Sequence, residues 1–156
     1  LRAFAVFVKD HKDWKLLLGG KRGIGFKGIF KIANELDIWE NIIMPGYVTD
    51  VEKYLLFKYC KFFVFPSLYE GFGFPILEAF SHGKPVFTSR VSGIPEVASD
   101  AAFYTDPFDV SVMAKDIEKL AVSENLRKDL VEKGAEQLKK FNWDDAVSNT
   151  WKILTS

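Results

Sequence analysis

Two glutamates, Glu70 and Glu78, stand on either side of Gly71-Phe72-Gly73-Phe74-Pro75, and their types and spacing suit a ligand that is both hydroxylated and anionic. A carboxylate accepts two hydroxyl hydrogen bonds from a vicinal diol. Gly71 and Gly73 let the backbone approach a ligand closely, and the segment runs into a helix whose first proline has no N–H to compete. The N–H groups left free there, with the positive end of the helix dipole, hold an anion such as a diphosphate without any lysine. Glu70 then lies in the loop and Glu78 in the first turns of the helix, so the pair flanks one molecule instead of sharing a helix face. Each feature has a plainer counterpart. A glycine loop before a helix is often only a turn, Glu78 suits a solvent-facing acid near a helix N-terminus, and Glu70 suits a surface turn.

A second glycine run, Gly23-Ile24-Gly25-Phe26-Lys27-Gly28, is a literal G-x-G-x-x-G between a strand and a helix. Its context fits a dinucleotide site poorly, because the preceding strand ends near Leu18 and Asp50 comes late for a ribose contact. Lys21 and Arg22 at its mouth suit either an anion or a solvated charge pair. Cys60 sits among Leu55, Leu56 and Phe57 and reads as a buried thiol. One cysteine and two histidines, His11 and His82, build neither a disulfide framework nor a Cys/His zinc site, so no metal is expected.

The elements that would position these residues follow from the apolar pattern. Leu1, Phe4, Ala5 and Val8 recur at helical spacing, so the chain starts on an amphipathic helix that needs a partner sheet. Lys15 to Leu18, Asn41 to Met44, Phe62 to Phe65, Pro85 to Thr88 and Ala102 to Tyr104 read as strands. Between them Ile29, Phe30, Ala33 and Leu36 mark one helix, and Thr49 with Glu52 has the spacing of a capping box opening another. Pro75 starts a helix that Gly83 ends in a left-handed turn, and Ile94 to Val97 make one helical turn. Three helices close the chain, at about 109–122, 124–140 and 143–154. Continuous apolar strands separated by helices imply an α/β, doubly wound parallel sheet covered on both faces. Ligands bind such sheets at the carboxyl ends of the strands, here the segments from Gly19, Gly46, Pro66 and Ser89.

Composition removes other classes. The chain has 156 residues, with 21 Lys and Arg against 21 Asp and Glu, and that balance lacks the clustered positive footprint of a nucleic-acid protein. Its apolar runs are far shorter than the ~20 residues of a membrane-spanning helix, and no signal-peptide pattern opens it, so a cytoplasmic location is expected. Four tryptophans, Trp14, Trp39, Trp143 and Trp151, are many for one small core. Core packing is the expectation for most of them, Trp151 above all.

Around the two glutamates the sequence resembles the retaining glycosyltransferases of family four, the glycosyl transferases group 1. Members carry a glutamate, seven residues and a second glutamate in the C-terminal, donor-binding domain of a GT-B fold, matched here by Glu70 and Glu78. The likeness extends through Gly71 to Pro75, then Ala79, Gly83, Lys84, Pro85 and Val86, and on to Ser92 through Val97, Asp106-Pro107 with Asp109, and Phe141-Asn142-Trp143. Gly46-Tyr47-Val48-Thr49-Asp50 looks like the turn that cups the donor base, and Gly20-Lys21-Arg22-Gly23 resembles mannosyltransferase-like members.

The resemblance implies a nucleotide-diphosphate sugar donor, UDP- or GDP-linked, and no metal or other cofactor. Glu78 would take the ribose hydroxyls, Glu70 the transferred hexose, the amides of Gly71, Phe72, Gly73 and Phe74 the phosphate and sugar, and Tyr47 and Val48 the base; Arg22 at the crevice mouth is the further candidate for the anion by its charge and place alone. The product would be a glycan or glycolipid, made with retention of configuration. The chain would be a donor-binding domain over 1–156 that lacks the family's opening strand, with its Arg and Lys, and the N-terminal acceptor domain. Those absences imply little transfer by the chain alone, and the resemblance separately implies peripheral contact of the full-length enzyme with the membrane's cytoplasmic face. A non-catalytic nucleotide-sugar module and a dinucleotide-dependent oxidoreductase are the other readings.

Overall fold

The computed structural model describes residues 1–156 apart from Arg22, Ile24 and Ser156. The short apolar runs form β1 (Leu16–Gly19), β2 (Ile42–Gly46), β3 (Phe63–Phe65), β4 (Val86–Ser89) and β5 (Ala102–Thr105). The helices among the described residues are α1 (Arg2–Val8), α2 (Phe26–Glu35), α3 (Asp50–Tyr59), α4 (Phe74–Ser81), α5 (Ile94–Ala98), α6 (Val110–Val122), α7 (Glu124–Leu138) and α8 (Trp143–Leu154).

Every pairing is parallel, as alternation of strand and helix requires. The strands form two sheets, β1-β2 and β3-β4-β5, where the sequence suggests one continuous sheet. The break falls because β1 and β3 each pair on one side only, with β2 and β4, and not with one another. The layering is nevertheless doubly wound. β4 is buried along its whole length, and its neighbours Val86 and Phe87 point to opposite faces. Phe87 joins a core built on α1, α6 and both sheets, with Phe4, Ile42 and Leu120; Val86 joins a second core under α4 and α5, with Ile76, Phe80 and Ile94. The apolar face of α1 therefore packs on α6 as well as on the strands.

Local chemistry sets the helix ends nearest the strand tips. Thr49 and Glu52 form the capping box of α3, each side chain satisfying the other's backbone N–H. At the end of α4, Gly83 adopts φ 63°, and the N–H groups of Gly83 and Lys84 donate to Phe80 and Ala79. This is the Schellman arrangement, and it turns the chain sharply into β4.

The tryptophans divide. Trp14 and Trp39 are partly buried against the first core, but Trp143 and Trp151 are 74% and 67% exposed. The expectation for Trp151 is thus overturned. Its helix, α8, is amphipathic but buries none of its residues.

Candidate functional site

Parallel strands finish together, so the loops after Gly19 and Gly46 leave one edge side by side, as do those after Phe65, Ser89 and Thr105. The loop after β3 is held from beneath by β4. The hydroxyl of Thr88 donates to the Phe65 carbonyl at 2.7 Å and that of Ser89 to the Ser67 carbonyl, both from fully buried residues. The Gly93 N–H donates to the Glu70 carbonyl at 3.2 Å. Gly73 takes φ 98°, a left-handed conformation that suits glycine, and serves as the N-cap of α4 with no side-chain cap of its own. No acceptor among the described residues takes the N–H of Gly71, Phe72 or Gly73. Three backbone donors and a helix start of positive potential are therefore available to an anion.

Glu70 and Glu78, at the two ends of this segment, are both half-buried. Glu78 Oε1 meets Lys53 Nζ at 2.5 Å, and the same ammonium lies 3.4 Å from Asp50 Oδ1. The hydrogen bond from Lys53 to Glu78 and the charge on that acid hold the Lys53 amine above the usual lysine range, with Asp50 adding to the effect. Helices α3 and α4, which follow different strands, are thus joined by one ion pair. Beyond Glu78 the ring of His82 stacks on Phe57 of α3 with centroids 4.8 Å apart, a second tie between the same helices.

Tyr47 and Val48 follow β2 directly. Tyr47 is 66% exposed, with Lys21 Nζ 5.1 Å from its ring centre; Val48 is half-buried and would touch a β-carbon on Gly19 at 3.8 Å. The Gly20 N–H donates to the Gly46 carbonyl at 2.8 Å, so these two loops are neighbours. Arg22, which with Lys21 suits either an anion or a solvated charge pair, lies outside the described residues. Phe72 and Phe74 present rings 4.8 Å apart, Phe74 stacks on Trp143 at 6.4 Å and Phe72 meets Phe141 edge-on at 5.8 Å. The Phe141-Asn142-Trp143 segment therefore folds back onto the loop between the glutamates.

Of the second glycine run, Ile24 lies outside the described residues. Gly25, at φ 86°, is the N-cap of α2 and Gly28 lies inside that helix, well past the end of β1. A surface hollow of about 630 Å³, lined by Asp100, Asp129, Lys133 and Gln137 among others, touches none of these loops.

The structure brings Glu70 and Gly71 to Gly93, Glu78 to Lys53, and Tyr47 to Lys21. Sequence reasoning missed Lys53, Thr88 and Ser89, and gave Gly93 no role. Thr88 and Ser89 carry a readable signal, since they are the two hydroxyl residues ending an otherwise apolar strand. Lys53 carries none, because its partner lies on another helix at no characteristic spacing.

Glycosyl transferases group 1, as a family, matches residues 1–137. The chain belongs to the glycosyl transferases group 1. The chain is 40% identical over 150 residues to O-antigen chain mannosyltransferase B of Escherichia coli, covering 94% of the chain and 39% of that relative. It is 35% identical over 139 residues to the serotype-specific mannosyltransferase WbdA of Escherichia coli, covering 85% of the chain and 17% of that protein. The chain thus spans less than half the length of these curated relatives. Among solved structures, HepE from Anabaena, crystallised with UDP and glucose, superposes with a TM-score of 0.85 at 20% identity, over 99% of the chain and 43% of HepE. That likeness establishes the fold, the Rossmann-like part of a GT-B glycosyltransferase. No helix among the described residues is long and apolar enough to cross a membrane.

Proposed function

We propose that this chain binds a nucleotide-diphosphate sugar, UDP- or GDP-linked, and is the donor-binding part of a retaining hexosyltransferase that builds a glycan or a lipid-linked glycan. The observation that carries the reading is the Glu70–Glu78 segment itself: free backbone donors at the start of α4, between two half-buried carboxylates, at the carboxyl end of parallel strands. The mannosyltransferase relatives favour a mannosyl group, with glucosyl next.

In this reading Glu78 accepts the ribose hydroxyls and Glu70 those of the hexose. The amides of Gly71 through Phe74 face the diphosphate and the sugar, and Tyr47 with Val48 borders the base. The bond from the anomeric carbon to the diphosphate oxygen breaks as an acceptor hydroxyl oxygen bonds to that carbon on the same face. The hydroxyl proton passes to the departing diphosphate. Negative charge grows on that leaving group, and fixed N–H donors aimed at it lower the barrier without reorganising.

Calorimetric titration with UDP, GDP and their common sugar conjugates tests the reading. We expect saturable binding to one nucleotide class, weakened in Glu78→Ala by ~1.5–3 kcal/mol, the magnitude of a hydrogen bond to a charged group. Equal affinity of wild type and variant, or no binding to any nucleotide, would overturn it.

A further inference from the structure

We propose that Lys53 positions Glu78 for the donor's ribose, and so governs how strongly the site prefers a ribonucleotide to its 2′-deoxy counterpart. The inference rests on the reading of Glu78 as the acceptor of ribose hydroxyls. Its ground is the 2.5 Å contact between Lys53 Nζ and Glu78 Oε1 across two helices.

Glutamate is a long side chain, and Glu78 is 35% exposed with no other side-chain partner among the described residues. Left alone it would spread over several rotamers, and each would need to be frozen when a diol arrives. Lys53 supplies a fixed point. Its own helix is anchored at the first turn by the Thr49–Glu52 capping box, and its ammonium is steadied from the other side by Asp50. A carboxylate offers about four lone-pair positions, so one lysine hydrogen bond orients the group and leaves both oxygens able to accept a hydroxyl. Lys53 lies five residues beyond Val48, on the helix that follows the segment assigned to the base. Ion pairs this exposed contribute little to folding. The consequence of Lys53 therefore falls on the bound ligand and not on the fold.

The experiment is calorimetric titration of the natural full-length protein with UDP, GDP and the 2′-deoxy form of each. It compares wild type with Lys53→Met, Lys53→Arg and Glu78→Gln. In Lys53→Met the ribonucleotide affinity should fall on the order of tenfold while the deoxynucleotide affinity barely changes, and Lys53→Arg should restore most of the difference. Glu78→Gln should abolish the preference. An equal loss for both nucleotides in Lys53→Met would mark Lys53 as a purely structural staple, and a gain in ribonucleotide affinity would mark it as a competitor. Either result, or no change, overturns the proposal while the response of Glu78→Gln still supports the diol reading. A preference that survives in Glu78→Gln, or a wild type that binds no nucleotide, overturns the diol reading and the role of Lys53 with it.

Discussion

Gly93 lies so close to Gly71 that a β-carbon on it would collide with the Gly71 carbonyl oxygen. The backbone of Gly93 is ordinary, at φ −74° and ψ −8°, so alanine could adopt it without strain. Space alone excludes a larger residue. Gly93→Ala is expected to push the Glu70–Gly73 segment off its seat, costing about 1–3 kcal/mol as overpacking does, and to weaken nucleotide binding as well. Gly71→Ala, whose β-carbon would meet no protein atom within 4 Å, is the control for folding alone, and its stability should stay within about 0.5 kcal/mol of wild type. Chemical denaturation of the two variants checks this, and equal stabilities would refute it.

A second glycine sets two effects against each other. Gly134 stands inside α7, where alanine would be favoured by ~1 kcal/mol on helix propensity. Its β-carbon would, however, come within 2.7 Å of Cδ1 of Phe80, a buried residue of α4. Contact should win, and Gly134→Ala should lose about 1–2 kcal/mol net. Adding Phe80→Leu should recover part of it. A lone Gly134→Ala that raises the melting temperature would show that propensity governs.

The capping box of α3 makes a pH-dependent prediction. The Thr49 backbone N–H donates to Glu52 at 2.7 Å and its hydroxyl at 2.8 Å, which holds the Glu52 carboxyl below the usual carboxylate range. A carboxylate whose folded pKa is depressed adds stability above its unfolded value, about 4.3, and loses it as pH falls through the folded value. The stability gap between wild type and Glu52→Ala should therefore be constant from pH 7 to about 5 and close below about pH 4. Thr49→Ala should cost about 1 kcal/mol at neutral pH, as N-cap losses do. Denaturation curves across that range decide both points.

Beneath β5, Thr105 Oγ1 donates to Asp116 Oδ2 at 3.0 Å, and both residues are buried. The other carboxylate oxygen of Asp116 receives Lys119 at 2.9 Å. Thr105→Val keeps the shape but strands one oxygen of a buried carboxylate, and it should cost about 2 kcal/mol or more. Thr105→Ser, which keeps the donor, should cost less.

The elements were legible where one local rule decides them. The unbroken apolar runs at Phe62–Phe65 and Pro85–Thr88 lie within a residue of β3 and β4, and the Thr49–Glu52 spacing opens α3. The loop between the glutamates was equally visible, because glycine, proline and acid each carry their chemistry in their type. What escaped depends on distance through space. Nothing in the spacing links Lys53 to Glu78, and nothing near Gly93 announces that Gly71 sits on it. Trp151 misled because the amphipathic period of α8 marks an apolar side without saying whether anything covers it. The division into two sheets was hidden for a related reason, since pairing depends on which edges meet and not on the strands themselves.

Thr88 and Ser89 suspend the Phe65–Ser67 turn from the most deeply enclosed strand, whereas Tyr47 and Lys21 rest on the outside against one another. The two halves of the crevice thus tolerate change unequally. A replacement at Thr88 or Ser89 alters a fully buried position and removes a tie to the loop after β3, while one at Tyr47 or Lys21 disturbs almost nothing beneath it. In such an arrangement the loop after β3 is tied to the core as a unit, and the Tyr47–Lys21 lip is where descendants of this sequence could exchange side chains without first losing a folded protein.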